Sequence, residues 1–388
     1  MEKSPVFFGK YATDPLAITP VTYYLPDQIH TDYEIPNYVH AEVAFAQAAL
    51  GELKGFSAGD PVLVAATRLA TLQDALDSSR IEGTRATLGE VLADETNPAG
   101  ATRDVVEVRN LRYAIDQGFE LLKELPIGVR MMRRLHETLL NTKEAAVKTP
   151  GEFRKSYVWI GKPGQSLESA ELVPPAHQEL PALLADWERF VNEPRTKMPP
   201  VIRNAIAHYQ FETIHPFLDG NGRLGRLLAL MMLMDDGILS HPVISLSSQI
   251  ERNRSGYYEA LGAVRTKGDM AGWIEFWATM LRYSAIEALE RFQRLQALHS
   301  RYMAEAPNQS TRSLAEAIFQ NPLATATTIR QHLGITQPSA LALLRRGVEL
   351  GWLKPIGDSS QGRRQFYIAS ELWAAITNEP EPTDSRLL

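Results

Sequence analysis

His215-Pro216-Phe217-Leu218-Asp219-Gly220-Asn221-Gly222-Arg223-Leu224-Gly225-Arg226 is the stretch from which the rest of the chain is read. Two glycines flanking Asn221 permit a backbone turn that a run of β-carbons would block, so successive N–H groups can face one side as an anion-binding nest. A helix follows directly, beginning at Arg223 by its pattern, and the N–H groups and positive dipole end of its first turn favour the same anion. Arg223 and Arg226 lie three apart on one face of that turn, where cations oppose the dipole, so a structural purpose alone would not place them there. Leu227 to Met234 are apolar on nearly all sides, which buries the helix. Guanidiniums at the mouth of a buried helix, a glycine nest, and Asp219 four residues after His215 together point to a polyphosphate carried with a divalent cation. His208 lies seven residues before His215, but no further ligand lies near, which disfavours a metal pair.

Outward from this loop the chain reads as mainly helical. Helices are expected over 102–122, 128–140, 175–191, 200–214, 223–236, 254–264 and 269–303, and over 62–83, where Val62, Ala65, Leu69, Leu72 and Leu76 form one apolar face. Between Phe153 and Pro174 the rhythm changes to Tyr157-Val158-Trp159-Ile160, then Gly161-Lys162-Pro163-Gly164, then Leu167 to Val173, which reads as a β-hairpin among helices. The first 60 residues, rich in proline and aromatics, read as an extended arm lying on the core. The polar stretch 305–310 reads as a linker. After it come helices over 311–320, 325–333 and 337–350 and two short strands around Trp352 and Phe366, the order of a winged helix-turn-helix.

Composition narrows the chemistry. The 388 residues include no cysteine, which removes thiolate nucleophiles, disulfides and cysteine-ligated metals and fits a cytoplasmic chain. The longest apolar stretch, around Leu227 to Met234, is far too short to span a bilayer, and no secretory leader is evident at the start. A formal charge of −6 is small for this length, so the protein as a whole is not built to coat nucleic acid.

The loop resembles the signature of the Fic family, His-Pro-Phe-x-Asp/Glu-Gly-Asn-Gly-Arg-x-x-Arg, and every position is filled. The resemblance runs from the N-terminal arm to about residue 300. It implies a helical Fic core with a β-hairpin flap, and transfer of AMP from ATP to a Ser, Thr or Tyr hydroxyl of a target protein. By the same resemblance His215 is the general base, Phe217 anchors the loop, and Asp219 holds Mg²⁺. Gly220, Asn221, Gly222, Leu224 and Gly225 cradle phosphates, and Arg223 and Arg226 bind the β- and γ-phosphates. The related Doc branch, which phosphorylates, is similar except for a Lys in place of Gly222, so Gly222 favours adenylyl transfer. The hairpin resembles the family flap that pairs edge-on with a target backbone. Tyr257 and Tyr258 match the positions lining the adenine side, with Arg252 or Asn253 facing the nucleotide beside them.

A carboxylate at the end of a helix lies at the wrong end of the dipole, so Glu82, in Ser78-Ser79-Arg80-Ile81-Glu82-Gly83, is unfavourable unless a cation meets it. The segment resembles the inhibitory motif Ser/Thr-x-x-x-Glu-Gly/Asn of Fic proteins, whose Glu pairs with the second signature arginine, here Arg226. That implies a self-inhibited enzyme, with removal of AMP as a second activity open to it. The resemblance also implies a homodimer.

The C-terminal segment carries Arg330, Arg345, Arg346, Lys354, Arg363 and Arg364 against Glu349 and Asp358, a basic face that could meet DNA phosphates. Winged helices also dock proteins, so both readings stay open. The expected division is residues 1–100 as arm and inhibitory helix, 101–304 as catalytic core, and 305–388 as the winged module. The rival to the transferase is a DNA-binding regulator whose Fic core senses nucleotide. Intact His215 and Asp219 argue against it, because a sensor needs no base.

Overall fold

A computed structural model describes residues 7–14, 17, 20–31, 33–55, 60–96, 101–142, 144–161, 164–194, 198–357, 365–377 and 379–382. The helix that follows the signature loop lies at the centre. This helix, α8 (Asn221–Asp235), is buried along nearly its whole length, as its all-round apolar sequence requires. It starts two residues earlier than the pattern at Arg223 suggests, because Gly220 takes the N-cap in the left-handed region (φ 76°).

Around it stand α2 (Pro61–Ile81), α4 (Arg103–Leu121), α5 (Val129–Leu139) and α7 (Pro200–Ile214), with α6 (Leu180–Val191) packed on α7. Helix α2 begins with Asp60 accepting from Val62 N–H at 2.8 Å and Pro61 in its first turn, an efficient start. Three buried tryptophans grip α7. Trp187 and Trp273 donate to the carbonyls of Ala207 and Ala205, and Trp277 donates to Asn204 Oδ1, each at 2.8 Å. A buried indole needs such a partner, and here the partners fix the helix whose end carries His215.

The N-terminal 60 residues are more regular than an extended arm. A hairpin of β1 (Gly9–Asp14) and β2 (Val21–Pro26) precedes α1 (Asn37–Glu52). Helix α1 lies on the long α11 (Met270–Glu305) and buries Val39, Val43, Ala46 and Leu50. That spacing is helical, but the prolines on the N-terminal side of α1 mask it. Also absent from the sequence reading are α3 (Leu88–Thr96) and α9 (Leu246–Arg252), each short, while α10 (Arg254–Lys267) and α11 fall where expected. The expected hairpin over 153–174 is held by one antiparallel bridge, Ile160 to Leu172, with a short 3₁₀ turn at Leu167–Ser169. Its tip, residues 162 and 163, lies outside the described residues.

The polar linker shortens to three residues, because α11 runs to Glu305 and Asn308 caps α12 (Gln309–Gln320). Beyond it come β3 (Leu323–Ala324), α13 (Ala326–Leu333), α14 (Gln337–Glu349), β4 (Lys354–Ile356), β5 (Phe366–Ile368) and α15 (Ser370–Ile376), with strands ordered β3-β5-β4, all antiparallel. β3 and α15 are additions to the sequence reading. Among the basic residues of this segment, Arg346 pairs with Glu349 at 2.8 Å and Lys354 with Glu381 at 3.2 Å. Arg363 and Arg364 lie outside the described residues.

The core continues without a break from Ile29 to Ile376. Helix α2 touches the C-terminal segment near both ends: Arg68 donates to the Gln320 carbonyl, and Arg80 pairs with Glu379 at 2.6 Å. Tyr302 of α11 stacks on Trp352 at 4.6 Å, whose indole donates to Glu305. Among the described residues no helix is long and apolar enough to cross a membrane.

Candidate active site

His215 ends α7 in the left-handed region (φ 49°, ψ 63°), directly before Pro216. A residue preceding proline prefers extended backbone, so this conformation is strained twice over and must be held from outside. Arg154 holds it. Its buried guanidinium donates to the carbonyls of His215 (2.8 Å), Ile214 (3.2 Å), Pro175 (2.6 Å) and Ser156 (3.2 Å), and its backbone N–H donates to Pro216 O at 3.0 Å. One planar fork thereby ties the end of α7 to the two ends of the bridged flap segment. Burial without a carboxylate partner lowers its pKa to about 10.

Nδ1 of His215 lies 3.2 Å from the Glu212 carbonyl. A carbonyl only accepts, so Nδ1 carries the proton and Nε2 keeps its lone pair. Desolvation lowers the pKa of His215 to about 4, so the ring is neutral near pH 7 and Nε2 is a ready proton acceptor.

The loop after His215 is closed by its own side chains. Phe217 is fully buried, stacked on His136 with ring centroids 3.7 Å apart. Asn221 accepts from Phe217 N–H and donates to Phe217 O, both at 2.9 Å. Its amide is therefore spent inside the loop, where the resemblance gave it to phosphate. His136 accepts from Gly151 N–H through Nδ1 and, with its other nitrogen, donates to Asp219 O, both at 2.9 Å. Burial lowers its pKa to about 4 as well. Sequence reading passed over His136 and Arg154. His136 shares the apolar face of α5 with Met132 and Leu139, which was a usable signal, whereas Arg154 sits in an aperiodic segment that gives none.

Asp219 is partly exposed, with Oδ1 accepting from Gly220 N–H at 2.6 Å. Among the described residues no cluster of three metal-ligating side chains occurs. A single partly exposed carboxylate still fits Mg²⁺ of the kind that arrives on a nucleotide, since that ion usually takes one or two carboxylates plus phosphate oxygens. Arg223 is buried yet loosely held, 3.5 Å from both Asp219 Oδ1 and Glu107 Oε2, with its Nε unpartnered.

Arg226 is the opposite case. It donates through Nε to Ser78 Oγ and through Nη2 to Ser78 O and Glu82 Oε1, all at 2.8 Å. Glu82 is the C-cap of α2. Desolvation works against its charge, but Arg226, and then Arg223, outweigh it and hold the carboxyl below its ordinary range. The carboxylate lies over Gly222: a β-carbon there would be 2.3 Å from Glu82 Oε1. Glu82 thus fills the space beside the first turn of α8.

Other expected site residues fall elsewhere. Leu224 is core, and Gly225 gives room to the Glu212 carboxylate, 2.4 Å from where a β-carbon would be. Tyr257 is wholly buried with its hydroxyl 2.8 Å from His208 Nε2, so it backs the site wall; Tyr258, in edge contact with it, is exposed. Arg252 turns away to Glu287 of α11 (2.5 Å) and the Ser248 carbonyl, because that carboxylate is its nearest partner. His208 stacks on Trp277 at 4.3 Å with Trp273 beside both rings, a core position.

The site is thus built from a left-handed histidine, a buried helix capped by glycine, and a carboxylate paired with the arginine of that helix's second turn. Residues 126–233 match the Fic/DOC family and residues 40–120 the Fic/DOC family N-terminal region. Protein adenylyltransferase Fic of Drosophila ananassae is 34% identical over 157 residues, covering 40% of this chain and 28% of that protein. The Drosophila melanogaster protein of the same name is 31% identical over 199 residues, 46% of this chain and 37% of that one. The chain therefore spans less than half the length of these curated relatives. A Fic family protein from Desulfovibrio desulfuricans G20 shares the fold over 91% of this chain and 100% of its own, at TM-score 0.56 and 23% identity. A fragment of Fic-1 from C. elegans does so over 66% and 73%, at TM-score 0.55 and 23% identity. This chain carries a Fic/DOC domain preceded by that family's N-terminal region.

Proposed function

We propose that this protein is a self-inhibited adenylyltransferase that moves AMP from ATP to a hydroxyl of a protein target. The observation that carries the reading is the contact of His215 Nδ1 with the Glu212 carbonyl, which assigns the proton to Nδ1 and leaves Nε2 as a base beside the mouth of α8. The target oxygen attacks the α-phosphorus, its proton passes to Nε2, and pyrophosphate leaves. Arg223 and Arg226 offset the charge that builds on the departing phosphates. Asp219 would hold Mg²⁺, whose chemistry when bound is to neutralise phosphate charge and orient the nucleotide. Among the described residues the flap pairs with itself through a single bridge at Ile160, so its backbone could add a target strand. The curated relatives' name, protein adenylyltransferase, supports the same reading.

Glu82 supplies the restraint, because it engages Arg226 in the place of a phosphate. Glu82→Gly should raise self-labelling by ATP carrying label in its α-phosphate tenfold or more, since one charge-assisted contact is worth about 2 kcal/mol. His215→Ala in that background should abolish labelling. Labelling that is no faster in Glu82→Gly refutes the restraint, and labelling that survives His215→Ala refutes the base.

A further inference from the structure

Helices α2, α9, α11 and α15 and the chain just after α15 line a half-open cavity of about 370 Å³. Its lining holds equal numbers of arginine and acid side chains, four of each, so the distribution of partners decides its character. Three of the four carboxylates are committed. Asp77 accepts from Gln73 Nε2 (2.8 Å), Ser248 Oγ (2.5 Å) and Arg80 (3.2 Å). Glu287 accepts from Gln249 (2.7 Å) and Arg252 (2.5 Å), and Glu379 accepts from Leu88 N–H at 3.0 Å and pairs with Arg80.

Arg291 is left over. Its side chain belongs to a residue only 4% exposed, its Nη1 has no hydrogen-bond partner, and it forms no ion pair within 4.0 Å among the described residues. Burial lowers its pKa, with Glu287 opposing that shift from one turn away on α11. On the same cavity wall the acceptor Gln73 Oε1 is also buried and unpartnered. A desolvated guanidinium without a partner is costly, and a donor and an acceptor left open on one cavity point to an occupant.

We propose that this cavity binds a small oxyanion, a phosphate monoester or a carboxylate, on Arg291 Nη1, with a hydroxyl or amine of the same molecule donating to Gln73 Oε1. Its volume suits a compact metabolite. The site does not depend on the transferase reading, because the test reads binding alone.

The full chain is titrated calorimetrically with inorganic phosphate and, separately, with succinate, at constant ionic strength. The Arg223→Ala/Arg226→Ala protein removes the anion site at the α8 mouth and should still bind. Arg291→Met should lose affinity at least tenfold while its unliganded melting temperature stays equal to or above wild type, since an unpaired buried charge is gone. Arg291→Gln, which keeps a polar group and loses the charge, should show the same loss if the Met variant folds poorly. Binding of phosphate alone identifies a phosphate monoester as the ligand class, and binding of succinate alone a carboxylate. The proposal falls if neither anion binds, if binding disappears in Arg223→Ala/Arg226→Ala, or if both Arg291 variants bind as wild type does.

Discussion

Asn221→Ala separates two roles for the central residue of the signature loop. The Asn221 amide makes two hydrogen bonds of 2.9 Å to the backbone of Phe217, and both residues are buried. Truncation leaves the Phe217 N–H and C=O without these partners. Each buried unsatisfied group costs about 1–3 kcal/mol, so a loss of about 2–4 kcal/mol is expected once partial relaxation is allowed. With an unfolding entropy of about 2 cal/mol/K per residue, that lowers the melting temperature by roughly 4 °C. Asn221→Asp should cost at least as much, because a carboxylate oxygen then opposes the Phe217 carbonyl. Thermal unfolding followed by circular dichroism gives the first readout, and ATP affinity in the Glu82→Gly background gives the second. Loop closure predicts a clear thermal shift with a small change in ATP affinity. A variant as stable as wild type that binds ATP much more weakly would refute this account and return Asn221 to the phosphates.

Arg154→Gln in the Glu82→Gly background should cut kcat on the order of 100-fold with little change in KM for ATP, because displacing a reacting group by about 1 Å costs that much. Arg154→Lys should rescue little, since an ammonium cannot span four carbonyls; an unchanged kcat in both variants would refute the positioning role. Stability should fall from pH 7 to pH 5, measured as the urea midpoint. His136, His208 and His215 have folded pKa values of about 4, 3 and 4, all depressed first by burial, so below pH 6.5 the unfolded chain takes up protons that the native state refuses. Glu212, raised by burial to about 7, works in the opposite sense, because the native state holds its proton while the unfolded chain releases it above its ordinary carboxylate range. Three groups against one leave a net loss on acidification. A midpoint that rises or stays level between pH 7 and 5 would contradict the burial of these rings, and His208→Phe should make the fall shallower.

The parts legible in the sequence share one property, which is that local pattern and tertiary role coincide. Helix α8 is apolar all round because it is buried all round, and the glycines at 220 and 222 mark a positive φ and a close approach. Glu82 stands out because its locally unfavourable position falls in a segment that resembles the family's inhibitory motif. Contacts without a local signature were lost. Arg154 works through four carbonyls that are distant in sequence, and no periodicity marks it. The resemblance puts Arg252 on the nucleotide side, but side-chain direction follows the nearest carboxylate, which sits on α11. The proline-rich start concealed α1 because turn residues dominate a short window, while its packing on α11 decided the outcome.

The anchoring of α2 limits how its terminal carboxylate can be moved. Arg68 near one end and Arg80 near the other are fastened to the C-terminal segment, through the Gln320 carbonyl and Glu379. Sliding the helix like a piston would break both fastenings and tear a continuous core. Glu82, however, sits one residue beyond the last helical turn, followed by Gly83 at φ 104° with open space around its α-carbon. The cheapest motion is therefore a latch turning on a fixed bar: the side chain and the chain just after it swing while the helix stays still. A signal that parts Glu82 from Arg226 would have only to move a few atoms at the tip, leaving the two Ser78 contacts of the arginine on the fixed helix, and a signal arriving through the C-terminal segment would tighten or loosen the bar on which that latch is mounted.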